Sequence, residues 1–416
     1  MTQTRTSPSE FRHGGKVLAA ALVGVACGAS PLPFNVLPLV MGPINAEYGW
    51  DFAEISAAML IFGVVAPLLA PVYGAMADRL GVRRVALASL AAFGVIFAAF
   101  YFTPASLMGW YGMWFLLSLV AIGSTPVTWS RAVSMWFSRN RGLALGIMLL
   151  GTSLAALVVP QVATRAIDAG GWRLAFPVVA LFPLLLALPV ALAWFREPRP
   201  EERPVGLAAA DGSLPGLSLR EAARGYRFWV LIASTSLISV AYGGAHIHMA
   251  QIVGLHGFAP ADAATVLSVV AMGIFAGRVL VGLLFDRFWA PVVAFLAMLL
   301  PAGAAFMLMG TDSNLPLIMA GGFMLGFAAG AESDVIAYLA ARYFGMRHYG
   351  RIYGTLYMPF GIGSGFSPIL YGAVRDATGS YDLMLMTAAG LFAVGGALLL
   401  LMGRYPDLGV TDEPRA

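Results

Sequence analysis

Only 11% of the 416 residues are charged, so an ionisable side chain inside an apolar run stands out at once. Four do so: Arg131, Arg278, Glu332 and Asp334. Arginine presents a planar fork of N–H donors that holds an oxyanion through two parallel bonds. A carboxyl in a low-dielectric setting favours its neutral form, which lets it take up and return a proton. Two helical positions turn a side chain through about 200°, so Glu332 and Asp334 cannot both face one neighbour squarely. One is expected to face a cavity while the other pairs within the bundle or with Arg131. Each is a candidate proton carrier; the alternative is a static pair with Arg131 or Arg278. Two imidazoles lie in Ala245-His246-Ile247-His248, a spacing unlike the i, i+4 arrangement of helical zinc ligands, and the single Cys27 offers no help. No metal site is expected. The chain has no Walker loop, nucleophile triad or dinucleotide fingerprint, so neither catalysis nor a cofactor is expected.

The elements that must position these groups are membrane helices. With 59% hydrophobic residues and a mean hydropathy of +0.81, the composition excludes a water-soluble domain. Apolar runs of about 20 residues, each long enough to cross a bilayer, predict twelve helices, at about 17–43, 54–76, 84–103, 107–136, 142–166, 173–194, 228–254, 262–285, 290–310, 316–343, 351–374 and 383–402. A polar N-terminal tail (1–16, with Arg5 and Arg12) is expected to precede a six-helix bundle (17–194). A linker (195–227), a second six-helix bundle (228–402) and a tail (403–416) follow. Leu217 to Arg227 is read either as a short amphipathic surface helix or as part of a disordered tether. Lys and Arg concentrate in the even-numbered loops and the termini, which places both termini in the cytoplasm. The net charge of +4 reflects this topology and calls for no nucleic acid. His256 and His348 fall in loops and are expected to be solvated.

The two bundles repeat at a constant offset of 208 residues. Gly49 maps to Gly257, Gly74 to Gly282, Asp78 to Asp286, Arg79 to Arg287, Gly142 to Gly350, Gly146 to Gly354 and Pro160 to Pro368. Six helices per copy keep both copies in one orientation, an arrangement that puts a substrate site near the midplane between them. Arg278 breaks the symmetry, because its counterpart is Ala70. It sits too deep in its helix to reach the headgroups easily. One half is thus expected to supply the charge for an anion, the alternative being internal pairing with Glu332 or Asp334.

Gly74-Ala75-Met76-Ala77-Asp78-Arg79-Leu80-Gly81-Val82-Arg83-Arg84, with its weaker copy Gly282-Leu283-Leu284-Phe285-Asp286-Arg287, resembles the G-x-x-x-D-R-x-G-x-R-R loop of the major facilitator superfamily. The resemblance implies an all-α fold of two parallel six-helix repeats. Gating falls to Gly74, Asp78, Arg79, Arg83, Asp286 and Arg287. Small Gly74 admits a neighbouring helix, and Asp78 can hold a helix N-terminus or an arginine and let go when the bundles rock. Topogenic charge alone is the other account of Arg79 and Arg83. Within the superfamily, Glu47-Tyr48-Gly49-Trp50, the Trp136–Gly146 segment, Gly171-Trp172-Arg173 and Gly277-Arg278 look most like the monocarboxylate porter and oxalate/formate exchanger branch. This carries the branch's carboxylate-binding arginine onto Arg278 and its helix 7 histidine onto His248. Asn35, Thr125 and Tyr357 are further cavity candidates.

These residues point to a secondary transporter in the cell (inner) membrane that works as a monomer in the lipid bilayer. It is expected to move a small monocarboxylate by alternating access, most simply with a proton. An organic-anion exchanger, a drug-like effluxer and a non-transporting sensor are the alternatives. The charge inventory favours a monoanion: Lys16 is the only lysine, and the eleventh predicted helix lacks the lysine with which oxalate exchangers balance a second carboxylate.

Overall fold

The computed structural model describes residues 10–204, 214–310 and 314–408. Arg5, the remainder of the 1–9 tail, the middle of the linker and the last eight residues lie outside these. Among the described residues the chain is almost entirely helical, with one isolated bridge between Gly216 and Gly345.

The first rod is α1 (Glu10–Ala26) followed by α2 (Leu32–Tyr48), then come α3 (Phe52–Leu80) and α4 (Val82–Ala99). The fourth rod is divided into α5 (Leu107–Ala121) and α6 (Pro126–Trp136), and α7 (Arg141–Gly170) is continuous. The sixth consists of α8 (Trp172–Leu181) and α9 (Leu188–Trp194), joined by a π-helical turn. After the short α10 (Leu219–Arg224), the second repeat runs through α11 (Tyr226–Ile247) with α12 (Met249–Leu255), α13 (Pro260–Arg287), α14 (Ala290–Met307), α15 (Leu315–Phe344), α16 (Tyr349–Thr378) and α17 (Asp382–Leu400). Among the described residues, ten helical stretches are long and apolar enough to cross a membrane. The first rod, broken in two, and the Gly- and Tyr-rich α16 fall outside that count.

Four expected rods differ from continuous α-helices, the sixth through its π-helical turn. The first breaks after Ala26, near Pro31 and Pro33, because proline lacks the N–H a helix interior needs. The fourth breaks ahead of Pro126, which starts α6 at the position where proline is tolerated. The seventh breaks at His248 between α11 and α12. The end of the linker forms α10, whose Ser218 and Glu221 make a reciprocal capping box.

The repeat in the sequence recurs in the backbone: Gly49 and Gly257 both have positive φ (68° and 79°), as do Gly171 and Gly379 (79° and 76°). Only glycine adopts this region freely. Each repeat packs as a bundle, and the two meet along α3 on α16 and α7 on α13, with α6 and α7 also touching α15. At the end that carries Asp78, a Cβ on Gly74 would strike the carbonyl oxygen of Gly350, and one on Gly142 would strike that of Gly282. Backbones touch there with no side chain between them. Further along the α3–α16 contact, a Cβ on Gly365 would meet nothing nearer than 3.7 Å and one on Gly63 nothing nearer than 3.9 Å. The repeats meet backbone to backbone at the Asp78 end, and the α3–α16 contact loosens to ordinary van der Waals distance by Gly63 and Gly365.

The fourth loop is held from the start of the first rod: Glu10 accepts backbone hydrogen bonds from Ser138, Arg139 and Asn140 at 2.9–3.0 Å. In the second repeat, the carbonyl of Pro215 and the N–H of Leu217 hold residues 344–347 of the tenth loop. The linker folds back through Arg196 and Glu202, 2.5 Å apart, and this pairing takes the Glu202 carboxyl down to about 2.

Candidate functional site

The seal at the Asp78 end is electrostatic as well as steric. Asp78, the last acidic group of α3, accepts the N–H of Gly350 at 2.9 Å and that of Arg351 at 2.8 Å, the free donors at the start of α16. Arg131 on α6 donates to the same carboxylate, with both side chains only 6% exposed. Arg131 also reaches Glu197 at 3.3 Å and the carbonyl of Met346 at 3.2 Å. The expected pairing of Arg131 with Glu332 or Asp334 is therefore not found: Arg131 stands on the opposite repeat, about a turn and a half from the end of α6, where Asp78 and Glu197 take it up. Asp286 repeats the cap on α7, accepting from Gly142 at 2.7 Å and Leu143 at 2.9 Å. Arg79 and Arg287 are exposed, while Arg83 donates to the carbonyl of Leu192 at 2.5 Å.

Deeper in, α13 carries Arg278 to the seam between repeats. Its Nη1 donates to the carbonyl of Leu149 and, at 2.5 Å, to Oγ1 of Thr152, both on α7. Thr152 in turn donates its hydroxyl hydrogen to Leu149 at 3.0 Å. Nε is buried with no partner. Arg278 has no hydrogen bond to Glu332 or Asp334.

Those two carboxyls sit mid-way along α15, 5% and 0% exposed. Oε1 of Glu332 and both carboxyl oxygens of Asp334 are buried without a donor. Their directions differ, as the 200° step requires. Glu332 lies within electrostatic reach of Tyr242 on α11 and Tyr357 on α16, and Tyr242 also of Arg278. Asp334 faces Arg278 and Tyr353 instead, and its Oδ2 would be 3.4 Å from a Cβ on Gly146 of α7. A buried carboxylate without a donor is costly in its ionised form.

The structure brings together Arg278, Glu332, Asp334 and Tyr357, with Tyr242 added from α11. It binds the other cavity candidates within the protein. Asn35 donates to Pro31 at 2.8 Å and Thr125 to Ile122 at 2.7 Å, each next to a helix break. His248 donates from Nε2 to the carbonyl of Pro368 at 3.0 Å and accepts at Nδ1 from Tyr381 at 2.9 Å, tying the break after α11 to α16 and α17. Nδ1 of His246 is buried without a partner, as is Nδ1 of His348, and the His246 ring stacks on Tyr242 with centroids 5.4 Å apart. The four-residue step from Tyr242 to His246 puts them on one helix face, a signal present in the sequence. His256 is buried and bonds the carbonyl of Leu308 at 3.2 Å, contrary to its expected solvation. Thr152 carried no sequence signal of its own, because only the crossing of α7 and α13 sets it beside Arg278. Among the described residues no group of three or more His, Cys, Asp and Glu side chains could hold a metal ion.

A sequence profile of the Major Facilitator Superfamily matches residues 23–331. Human monocarboxylate transporter 11 is 27% identical, over 86% of this chain and 76% of its own. The 3-(3-hydroxy-phenyl)propionate transporter of Escherichia coli strain K12 is 26% identical, over 93% of this chain and 92% of its own. The fold is similar to the crystal structure of human MFSD10 (TETRAN), an organic anion transporter, with a TM-score of 0.72 and 18% identity over 94% of this chain and all of that one. Repeated bundles, crossed Asp78 and Asp286 caps and a profile match over most of the chain agree: the chain belongs to the Major Facilitator Superfamily and is a multi-pass membrane transporter.

Proposed function

We propose that the protein is a proton-coupled symporter of a small monocarboxylate, working by alternating access as a monomer in the cell (inner) membrane with both termini in the cytoplasm. The observation that carries this is Arg278: an intramembrane guanidinium with an orphan Nε, near a buried acid, Asp334, that makes no hydrogen bond to it. An anionic carboxylate satisfies that fork through two charge-assisted bonds. The names of the two relatives, a monocarboxylate transporter and a carrier of a substituted propionate, support an organic acid as substrate.

Charge balance supports the proton. One carboxylate on Arg278, with Glu332 or Asp334 neutral, leaves the loaded cavity without excess charge to carry through a barrier where each ion costs roughly 2.5–3.5 kcal/mol. Glu332, which faces Tyr242 and Tyr357, is the member of the pair next to the substrate. Asp78 and Asp286 hold the cytoplasmic side shut in the loading conformation and release when the repeats rock. Uptake of labelled aliphatic and aromatic acids into proteoliposomes under an imposed pH gradient tests the assignment. Accumulation of a monocarboxylate, driven by the gradient, is the expected result; a sensor would bind without accumulating.

A further inference from the structure

Arg278 belongs to the second repeat, yet its bonds run to the first. Nη1 is held twice on α7, by the Leu149 carbonyl and by Thr152 at 2.5 Å. Thr152 has spent its own hydrogen on Leu149, so towards Arg278 its oxygen can act only as an acceptor. The two bonds fix the plane of the guanidinium and leave its other edge: Nε is orphaned and Nη2 makes no hydrogen bond among the described residues. That edge has the spacing of a carboxylate's two oxygens. The pseudosymmetric position offers nothing similar, since Arg278 corresponds to Ala70 and Thr152 to Phe360.

We infer that Thr152 is a positioning residue for the substrate site: by holding Nη1 across the seam it fixes the plane of Arg278 and keeps the Nε/Nη2 edge available to a carboxylate. The inference rests on the proposed role of Arg278. It makes the anion site a joint product of both repeats, complete only while α7 and α13 are packed together. A Cβ on Gly146 would strike the carbonyl of Arg278 itself, so parting of these helices pulls Nη1 from Thr152 and frees the side chain to rotate. Asp334, which faces Arg278 and Tyr353 from α15, is then the partner within reach. No other titratable group is presented to it by α7, which contributes Gly146. Substrate therefore meets an oriented fork in the sealed conformation and a slack one after the seal opens, a differential affinity of the kind that alternating access requires.

The test is a double-mutant cycle on full-length protein in nanodiscs, with lactate, benzoate and 3-phenylpropionate as probes and binding read by thermal-shift titration. Thr152→Val, which keeps shape and removes the acceptor, is expected to weaken binding of the best probe roughly tenfold. Thr152→Ser is expected to restore it. In an Arg278→Ala background, Thr152→Val is expected to add nothing further. Spin-label distances across the Asp78 end, without ligand, provide a second readout: Thr152→Val should move population towards the open seal. Equal effects of Thr152→Val with and without Arg278, or wild-type binding and distances in Thr152→Val, overturn the inference. Full binding in Arg278→Ala, or no binding of any probe to wild type, overturns instead the function on which it rests.

Discussion

Asp78 and Asp286 stand 208 residues apart and each caps a helix of the other's repeat: Asp78 takes the N-terminal N–H groups of α16, and Asp286 those of α7. The capped residues, Gly350 and Gly142, are again 208 apart. The seal is thus built twice from one pattern, and its two copies differ in that Asp78 is also gripped by Arg131.

This difference predicts unequal effects. A carboxylate at a helix N-terminus contributes up to about 2 kcal/mol in partly buried geometry, and breaking a buried ion pair costs more, about 3–5 kcal/mol. Asp286→Asn is expected to shift the ratio of sealed to open conformers by roughly fivefold to thirtyfold, and Asp78→Asn by more. Spin labels on introduced cysteines, in a Cys27→Ala background, measure both. Substrate affinity in the sealed state should survive either change; equal loss of binding and turnover would point to a misassembled bundle.

A steric counterpart follows from the glycines. Gly74→Leu and Gly350→Val are expected to prevent closure at the Asp78 end, because a side chain at either position meets backbone that cannot move aside. The same labels should report the open conformer, with transport reduced at least tenfold. Gly63→Ala, which adds a methyl group with no neighbour inside 3.9 Å, is expected to remain near wild type.

At Arg278, lysine keeps the charge and loses the planar fork. Arg278→Lys is expected to lower substrate affinity by roughly tenfold and Arg278→Ala by about a hundredfold, in line with loss of one and two charge-assisted bonds. Equilibrium binding on correctly inserted protein measures this. Near-normal affinity in both variants removes Arg278 from the site.

Proton coupling is expected to be visible as uptake that rises when the outside is acidified and stays nearly level when a potassium diffusion potential is imposed. The sign follows from charge: a proton accompanies each anion, so acid outside drives both inward while net charge movement is small. Glu332→Gln, a fixed mimic of the neutral acid, should retain exchange of labelled for unlabelled substrate and lose accumulation under the gradient. Uptake that follows voltage and ignores pH, or an oxalate preference over every monocarboxylate, would falsify both the single-cation site and the proton role.

The sequence by itself determined the membrane helices, the duplicated bundle and the identity of the rare intramembrane charges. Each of these is written in one dimension: apolar runs of bilayer length, an offset of 208, and ions where ions are expensive. It also placed the small residues Gly74, Gly142, Gly282 and Gly350 at matching positions, which made close helix approach legible before any contact was known. Tertiary structure decided the partners. Arg131 and the acids of α15 were both available in the sequence, but the seam sets Arg131 against Asp78 and Glu197 and leaves Glu332 and Asp334 without donors. The resemblance put His248 forward as the binding histidine, and only the packing of α16 and α17 around the break after α11 showed both of its nitrogens consumed. Thr152 became significant solely through the crossing of α7 and α13. A linear pattern fixes which groups must leave water, whereas which of them meet depends on helix crossing and rotation, and those are set by the summed packing of helices far apart in the chain.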